Sequence, residues 1–283
     1  MRLPEPDLHW DVLVKQRPGL TPDVPPGKES LMWVANSSTL ISGKRDAVLV
    51  DTFLTVDQTN ALANWIAASG KNLTTIYITH AHGDHSFGLK ILLDRFPHGK
   101  AVATAEVVKA MARQVAPEYL ESFWKSRFPG QIPEPIVLPE ELNASEIDLE
   151  GHALIPVRLG HTDTDDSTCL HVPSIGLVVA GDAVYNGIHL FQGETNRQNR
   201  PLWIAALDAI DALKPRAVVA GHKVPANDDS PRTVEETRTY LRDFIRLDEQ
   251  TTSARELYDE MLALYPDRVN PGSLWGAAVA AKA

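Results

Sequence analysis

Seven residues constrain this chain more than any others: Thr79-His80-Ala81-His82-Gly83-Asp84-His85 places three imidazoles and one carboxylate in a single short turn. The turn follows the apolar run Ile76-Tyr77-Ile78, which reads as the end of a strand. In an extended segment, side chains two apart point the same way, so His80 and His82 can close on one ion as a pincer. Gly83 has no Cβ to clash at positive φ and is expected to let the backbone turn sharply. Asp84 and His85 are then aimed elsewhere, toward a second ion a few ångströms away. Imidazole nitrogen and carboxylate oxygen without thiolate suit zinc, and also iron, manganese or nickel. A polar turn explains a lone histidine; it does not explain four donors at H-x-H-x-D-H spacing.

At 283 residues the length leans toward two domains, but layered folds of this size are often one unit. A single domain over residues 1–283 is expected. There are 27 Lys and Arg against 37 Asp and Glu, a net charge of -10 and a pI near 5.4. That balance argues against the basic face or stripe a nucleic-acid partner would need, so the expected partner is a small-molecule substrate. Cys169 is the only cysteine, which excludes an intrachain disulfide. It lies in the expected strand Ser167 to Val172 and reads as a buried structural thiol rather than a nucleophile. The start, Met1 to Asp7, has no apolar h-region, and no stretch approaches the roughly 18 apolar residues of a membrane span. A cytoplasmic protein with no membrane partner is the expectation.

Residues 1–30 are rich in proline (Pro4, Pro6, Pro18, Pro22, Pro25, Pro26) and are expected to form an irregular arm. Leu31 to Val34 and Thr39 to Ile41 read as short strands, with a turn at Gly43 to Asp46 before Ala47 to Val50. Leu62, Trp65 and Ile66 have helical spacing and stop at Gly70; the strand Thr74 to Thr79 follows, then helices over Leu89 to Phe96 and Val107 to Val115. This alternation favours a layered α/β design. Within a helical insertion over residues 104–130, Tyr119, Phe123, Trp124 and Phe128 form i,i+4 aromatic pairs. Four aromatics there make either a core plug or a lid over an apolar substrate. The second half returns to strands, then a helix opened by Pro201, a strand Ala217 to Ala220, and C-terminal helices over residues 230–283 with a capping box at Ser253 to Glu256.

Three later strands each end in glycine followed at once by a donor: Gly160 gives His161, Gly181 gives Asp182 and Gly221 gives His222. Donors therefore gather at the carboxyl ends of strands, where open sheets place their sites. Five of the 10 histidines have candidate roles in one place.

At this point the chain, from about Leu31 to His222, resembles the metallo-β-lactamase superfamily: the H-x-H-x-D-H motif, Gly-His, Gly-Asp and final Gly-His stand in that family's order. The resemblance implies a four-layer αββα sandwich, of the α+β and α/β kind, with two divalent ions at one edge between the sheets. His80, His82 and His161 would hold the first ion, Asp84, His85 and His222 the second, and Asp182 would bridge them. Asp51, ending its strand, matches the family's aspartate that orients a ligand histidine. The lactam-cleaving enzymes of the best-known branch have cysteine where this chain has Asp182, and flavodiiron proteins have glutamate where it has His82. The bridging carboxylate looks instead like the branches of lactonases, glyoxalase II-type thioesterases and phosphodiesterases.

Two ions sharing a water lower its pKa from about 15.7 toward neutrality. The expected chemistry is hydrolysis of a small ester or lactone by a metal-bridging hydroxide, zinc being the expected metal. Asp84 is the candidate proton shuttle. Tyr185 is expected to offer its phenol to the oxyanion, since a similarly placed tyrosine occurs in the N-acyl homoserine lactone lactonases of this superfamily. Trp124, Ile188, His189 and Phe191 are expected to line an apolar substrate pocket. Rival readings are a β-lactam or thioester hydrolase with the same site, a mononuclear iron oxygenase, and a metal-binding protein without turnover.

Overall fold

A computed structural model describes residues 8–18 and 32–283. In chain order its elements are β1 (His9–Pro18), β2 (Met32–Ser42), β3 (Asp46–Val50), α1 (Val56–Ala68), β4 (Asn72–Tyr77), α2 (Gly83–Ser86), α3 (Leu89–Arg95), β5 (Lys100–Ala103) and α4 (Ala105–Gln114). A turn of helix, α5 (Pro117–Tyr119), runs on into a π-helical stretch Leu120–Lys125. The second half holds β6 (Glu140–Glu141), β7 (Ile147–Leu149), β8 (His152–Gly160), β9 (Ser167–Val172), β10 (Leu177–Val179), β11 (Tyr185–Asn186), α6 (Arg200–Ala212), β12 (Ala217–Val219), β13 (His222–Lys223), α7 (Arg232–Gln250), α8 (Ala254–Leu264) and α9 (Pro271–Ala281).

The strands form two sheets, ordered β11-β13-β2-β3-β4-β5-β6, with β1 also on β2, and β12-β10-β9-β8-β7. The period-2 alternation of β3 shows why they stack as they do. Ala47 and Leu49 face Leu62, Ile66, Leu89, Leu92 and Met111 of the helices on one side. Val48 and Val50 face Leu154, Leu170, Leu177 and Val219 of the second sheet on the other. The far face of that second sheet, through Cys169, Val178 and Val218, is covered by Trp203, Leu207, Phe244 and Leu257 of the later helices. Helix, sheet, sheet and helix are the four layers of an αββα sandwich. The central strands β3, β10 and β12 are covered on both faces and read as nearly unbroken apolar runs. Cys169 is fully buried, and burial pushes its thiol up to about 12. No helix among the described residues is long and apolar enough to cross a membrane.

Two expectations need correction. The arm expected to be irregular contains β1, antiparallel to β2 from His9 opposite Ser42 to Pro18 opposite Met32. Pro18 is the last residue of this strand and the other prolines lie outside it in the sequence, so composition averaged over residues 1–30 hid its alternation; the rest of that arm lies outside the described residues. The two short strands expected around residues 31–41 are one, β2, because the polar stretch between them continues the ladder. Its Asn36, Ser37, Ser38 and Thr39 are all buried. The capping box at Ser253 and Glu256 forms as expected.

Candidate metal centre

The donors lie at strand ends, as their sequence positions suggest. After β4 the chain stays extended to His82, whose φ of -63° and ψ of 140° make it the N-cap of α2, and α2 presents Asp84 and His85. Gly83 does not adopt positive φ, contrary to expectation. Its reason is space: a Cβ there would lie 2.6 Å from the Phe87 ring. The glycine at 181, with φ of 52°, does need its conformational freedom. At Gly221 a Cβ would lie 2.2 Å from Asp182 Oδ1 and 2.7 Å from the Gly181 carbonyl carbon, so only glycine lets these two strand ends meet.

His80, His82, Asp163 and Asp182 each bring a donor atom within 4.8 Å of the others, and Asp84, His85 and His222 do the same. The Asp182 carboxylate joins the two sets. Its Oδ1 is 3.3 Å from His85 Nε2, and its Oδ2 is 2.9 Å from His222 Nε2 and 3.9 Å from His80 Nε2.

Counting protons shows what these atoms offer. Thr79 gives its hydroxyl hydrogen to Asp51 Oδ2 at 2.8 Å, so its oxygen accepts from His80 Nδ1 at 3.0 Å. His85 Nδ1 donates to Asp51 Oδ2 at 3.1 Å, and His222 Nδ1 donates to the Ala35 carbonyl at 3.1 Å. His82 Nε2 faces Glu194 Oε1 at 3.5 Å. With the outer nitrogens protonated, the inner ones (Nε2 of His80, His85 and His222, Nδ1 of His82) turn bare lone pairs toward carboxylates. His80 Nε2, Asp163 Oδ2 and Asp182 Oδ1 are buried without a hydrogen-bond partner. Lone pairs crowded against lone pairs in a dry space require positive charge between them, and a divalent cation with nitrogen and oxygen ligands meets that requirement.

The electrostatics agree. Burial pushes the His82 and His85 imidazoles down, but the carboxylates of Asp163 and Glu194 and of Asp182 and Asp84 outweigh it and hold both well above the ordinary value. His222 is raised in the same way, chiefly by Asp182 against burial. His80 is lowered by burial and by His85. Against burial, His222 and His85 hold Asp182 well below the usual carboxylate range and draw Asp84 down to about 2. The site thus attracts either protons or metal ions, which compete for the same nitrogens.

Asp51 orients His85 directly and His80 through Thr79, as expected of it. Of the expected first-ion ligands, His161 is in neither donor set; its Nδ1 lies 2.6 Å from Asp165 Oδ1 and its Nε2 is buried without a partner. Tyr185 does not aim its phenol at an open site. Its hydroxyl donates to Asp182 Oδ2 at 3.0 Å, and burial, then Asp182, raise its pKa well above the ordinary value. The expected pocket is largely core. Trp124 is buried against Phe87 at 5.7 Å with its indole N–H on Gln114, so this part of the aromatic segment is a plug beneath the motif. Ile188 lies in the core beside the C-terminal helices. His189 is fully buried with Nδ1 on the Tyr240 hydroxyl, and burial and then Arg268 push it down to about 3. Phe191 does reach the site, its ring 5.7 Å from that of His82. Half-buried Tyr119 and Phe123 stack at 5.0 Å on the outer side of the plug, with Arg127 4.0 Å over Phe123.

Sequence reasoning missed Asn36, Asp163 and Glu194. Asn36 Nδ2 lies 2.9 Å from Asp84 Oδ2 and 3.3 Å from His85 Nε2; four small polar residues in an apolar strand were its signal. Asp163 stood among three aspartates just after His161, which was a usable hint. Nothing near Glu194 in the sequence marks it.

A family model of the metallo-beta-lactamase superfamily matches residues 31–222, and the chain belongs to that superfamily of mostly metal-dependent hydrolases. It is 34% identical over 79 residues to a hydroxyacylglutathione hydrolase of Francisella tularensis subsp. novicida, a match spanning 26% of this chain and 30% of that protein. A hydroxyacylglutathione hydrolase of Actinobacillus pleuropneumoniae serotype 5b is 33% identical over 99 residues, 35% of this chain and 37% of that protein. The matches thus span about a third of these curated relatives. Among solved structures, a metallo-beta-lactamase family protein from Thermus thermophilus superposes with a TM-score of 0.64 at 19% identity, covering 95% of this chain and 91% of that one. A metallo-beta-lactamase from Pontibacter korlensis gives 0.61 at 16% identity, covering 86% and 98%. Identities this low establish the shared fold.

Proposed function

We propose that this protein is a dinuclear metal hydrolase that opens a small ester or lactone, with zinc as the working metal. The observation that supports two ions is the Asp182 carboxylate, which faces His80 with one oxygen and His85 with the other. When bound, the ions would supply a water ionised near neutral pH and an electrophile for the carbonyl oxygen. The protein's own part is orientation and proton handling. Asp51, the Ala35 carbonyl and Glu194 hold protons on the outer imidazole nitrogens and keep the inner ones free. Asp84, ionised and held by Asn36 at 2.9 Å, accepts the proton released at the nucleophile and passes it to the leaving group. Tyr185 fixes Asp182. The acidic chain suits a small-molecule partner, and a cytoplasmic setting is part of the same reading.

The partial likeness to hydroxyacylglutathione hydrolases favours a thioester as the second reading. The test is turnover by the zinc-loaded protein on a panel of lactone, ester, thioester, β-lactam and phosphodiester substrates, together with metal content. Lactone or ester cleavage is expected to lead the panel, and His82→Ala and Asp182→Ala to lose both metal and turnover. Wild-type turnover in His82→Ala overturns the reading; full loading with no cleavage makes the protein a metal binder.

A further inference from the structure

At the rim of the metal centre the structure holds a guanidinium that the chemistry above does not use. Glu194 Oε1 faces His82 Nε2 at 3.5 Å; its Oε2 accepts the Thr164 hydroxyl at 2.8 Å and lies 3.8 Å from Arg113 Nη1. A single carboxylate therefore separates Arg113 from a ligand histidine. Exposed arginines are ordinary on a protein surface, but this one stands beside a carboxylate that is itself tied to the site. The Arg113 side chain is 67% exposed and that of Glu194 19%. At 3.8 Å their contact is longer than a hydrogen bond, so the fork of N–H groups stays open to an incoming group.

What lies beside Arg113 is apolar. It stands in the last turn of α4 and leans over the Tyr119 ring, 5.8 Å from its centroid. Tyr119 stacks on Phe123 at 5.0 Å, and Arg127 lies 4.0 Å over Phe123. The neighbouring carboxylates of Glu121 and Glu134 are taken by Lys125. Burial and then the Glu194 carboxylate raise the Tyr119 phenol above its ordinary value, with Asp84 adding to them against Arg113 and Arg127, so the hydroxyl stands within electrostatic reach of the metal centre. On the same side Phe191 brings its ring 5.7 Å from that of His82. The planar fork of arginine matches a carboxylate with two parallel hydrogen bonds, and aromatic faces suit a hydrocarbon chain leading from it.

We propose that Arg113 binds a carboxylate carried by the substrate, with Tyr119 and Phe191 bracketing the apolar segment between that group and the scissile carbonyl, so that the protein prefers anionic esters or lactones to neutral ones. The proposal rests on the hydrolase reading of this site and names the substrate class within it.

The test uses the zinc-loaded full chain and two matched ester pairs. One pair carries the carboxylate on the acyl side (para-nitrophenyl hydrogen adipate against para-nitrophenyl hexanoate), the other on the alcohol side (ω-acetoxyhexanoate against hexyl acetate). Wild type is expected to favour the charged member of at least one pair by about tenfold or more in kcat/KM, chiefly through KM. Arg113→Met should remove about tenfold or more of that preference, and Arg113→Lys should restore part of it, as a charge without the fork. Zinc affinity against a chromophoric chelator should stay within about threefold of wild type in both variants, because Arg113 touches no ligand nitrogen. Equal use of charged and uncharged members of both pairs by wild type overturns the proposal. So does an Arg113→Met protein that slows both members by the same factor or loses zinc, since Arg113 would then act by steadying Glu194 and His82. Zinc-loaded wild type that cleaves no ester sinks the hydrolase reading instead, and calorimetry with monomethyl adipate then decides the anion site: binding lost in Arg113→Met supports it, and binding unchanged in that variant or absent from wild type overturns it.

Discussion

Replacing Asp51 by asparagine removes a charge and almost no volume. Position 51 has a φ of 59°, which asparagine tolerates better than most residues, so backbone strain does not enter. In the wild type, Oδ1 accepts the Thr79 amide at 2.8 Å, and Oδ2 accepts both the Thr79 hydroxyl at 2.8 Å and His85 Nδ1 at 3.1 Å. If the asparagine oxygen stays on the Thr79 amide, its NH2 group meets two donors. Relief requires the Thr79 hydroxyl to turn to His80 Nδ1, 3.0 Å away, and His85 to shift its proton. Both changes put a proton on an inner nitrogen that a metal needs. One orienting partner of a metal-bound histidine is worth about 10–100-fold in metal affinity. Asp51 serves two histidines, so the expected loss is about 100- to 10,000-fold if they act independently, and toward the lower figure if the network shares the cost. The assay is zinc competition against a chromophoric chelator. Thr79→Val, which removes only the relay to His80, should show the smaller loss of about 10–100-fold. An Asp51→Asn protein that binds zinc within about threefold of wild type would refute the tautomer argument, because the inner lone pairs would then not depend on the groups behind them.

Two further outcomes follow from the same geometry. Gly221→Ala places a Cβ 2.2 Å from Asp182 Oδ1 and 2.7 Å from backbone; overpacking of this kind costs about 1–3 kcal/mol, so calorimetry should show a lower Tm together with weaker metal binding, and a variant equal to wild type in both would show that the two strand ends can separate freely. In the metal-free protein His82, His85 and His222 are raised above 6.5, so the stability they contribute is complete below that pH and is lost as pH rises through their folded values. Asp84, lowered from 3.8 to about 2, contributes stability above 3.8 that is lost as pH falls through about 2. Metal-free protein should therefore melt lower at about pH 9 than at about pH 6, and zinc should stabilise it more at the higher pH, since protons and metal compete; a metal-free Tm that rises over that interval contradicts the assignment.

What was legible in the sequence is what local chemistry determines. The H-x-H-x-D-H turn and the glycines before Asp182 and His222 carry their meaning within a few residues, and the continuous apolar runs of β3, β10 and β12 announce strands buried on both faces. Features that depend on distant company were not legible. Ile188, His189 and Trp124 sit near site residues in the chain, yet packing against Phe87 and the C-terminal helices turns them into the core. Asp163 could not be told from Asp165 or Asp166 by residue type; only the return of the chain into β9 buries the first, while the other two are exposed.

The deeper limit concerns protons. Whether a histidine is a ligand or a buried base depends on what stands behind its outer nitrogen, and here those partners are remote or silent. His222 is set by a carbonyl 187 residues away, His85 by an aspartate 34 residues away, and His82 by a loop glutamate with no motif around it. A backbone carbonyl leaves no mark in a sequence at all, since every residue has one. The motif therefore predicts that imidazoles gather, but the tautomer of each ring, and with it the ability to hold a cation, is a property of the assembled sheets. Substitutions at Asp51, Thr79 and Glu194 should accordingly change metal binding although none of these residues is in the seven-residue turn except Thr79, which enters it as a hydroxyl relay and not as a ligand.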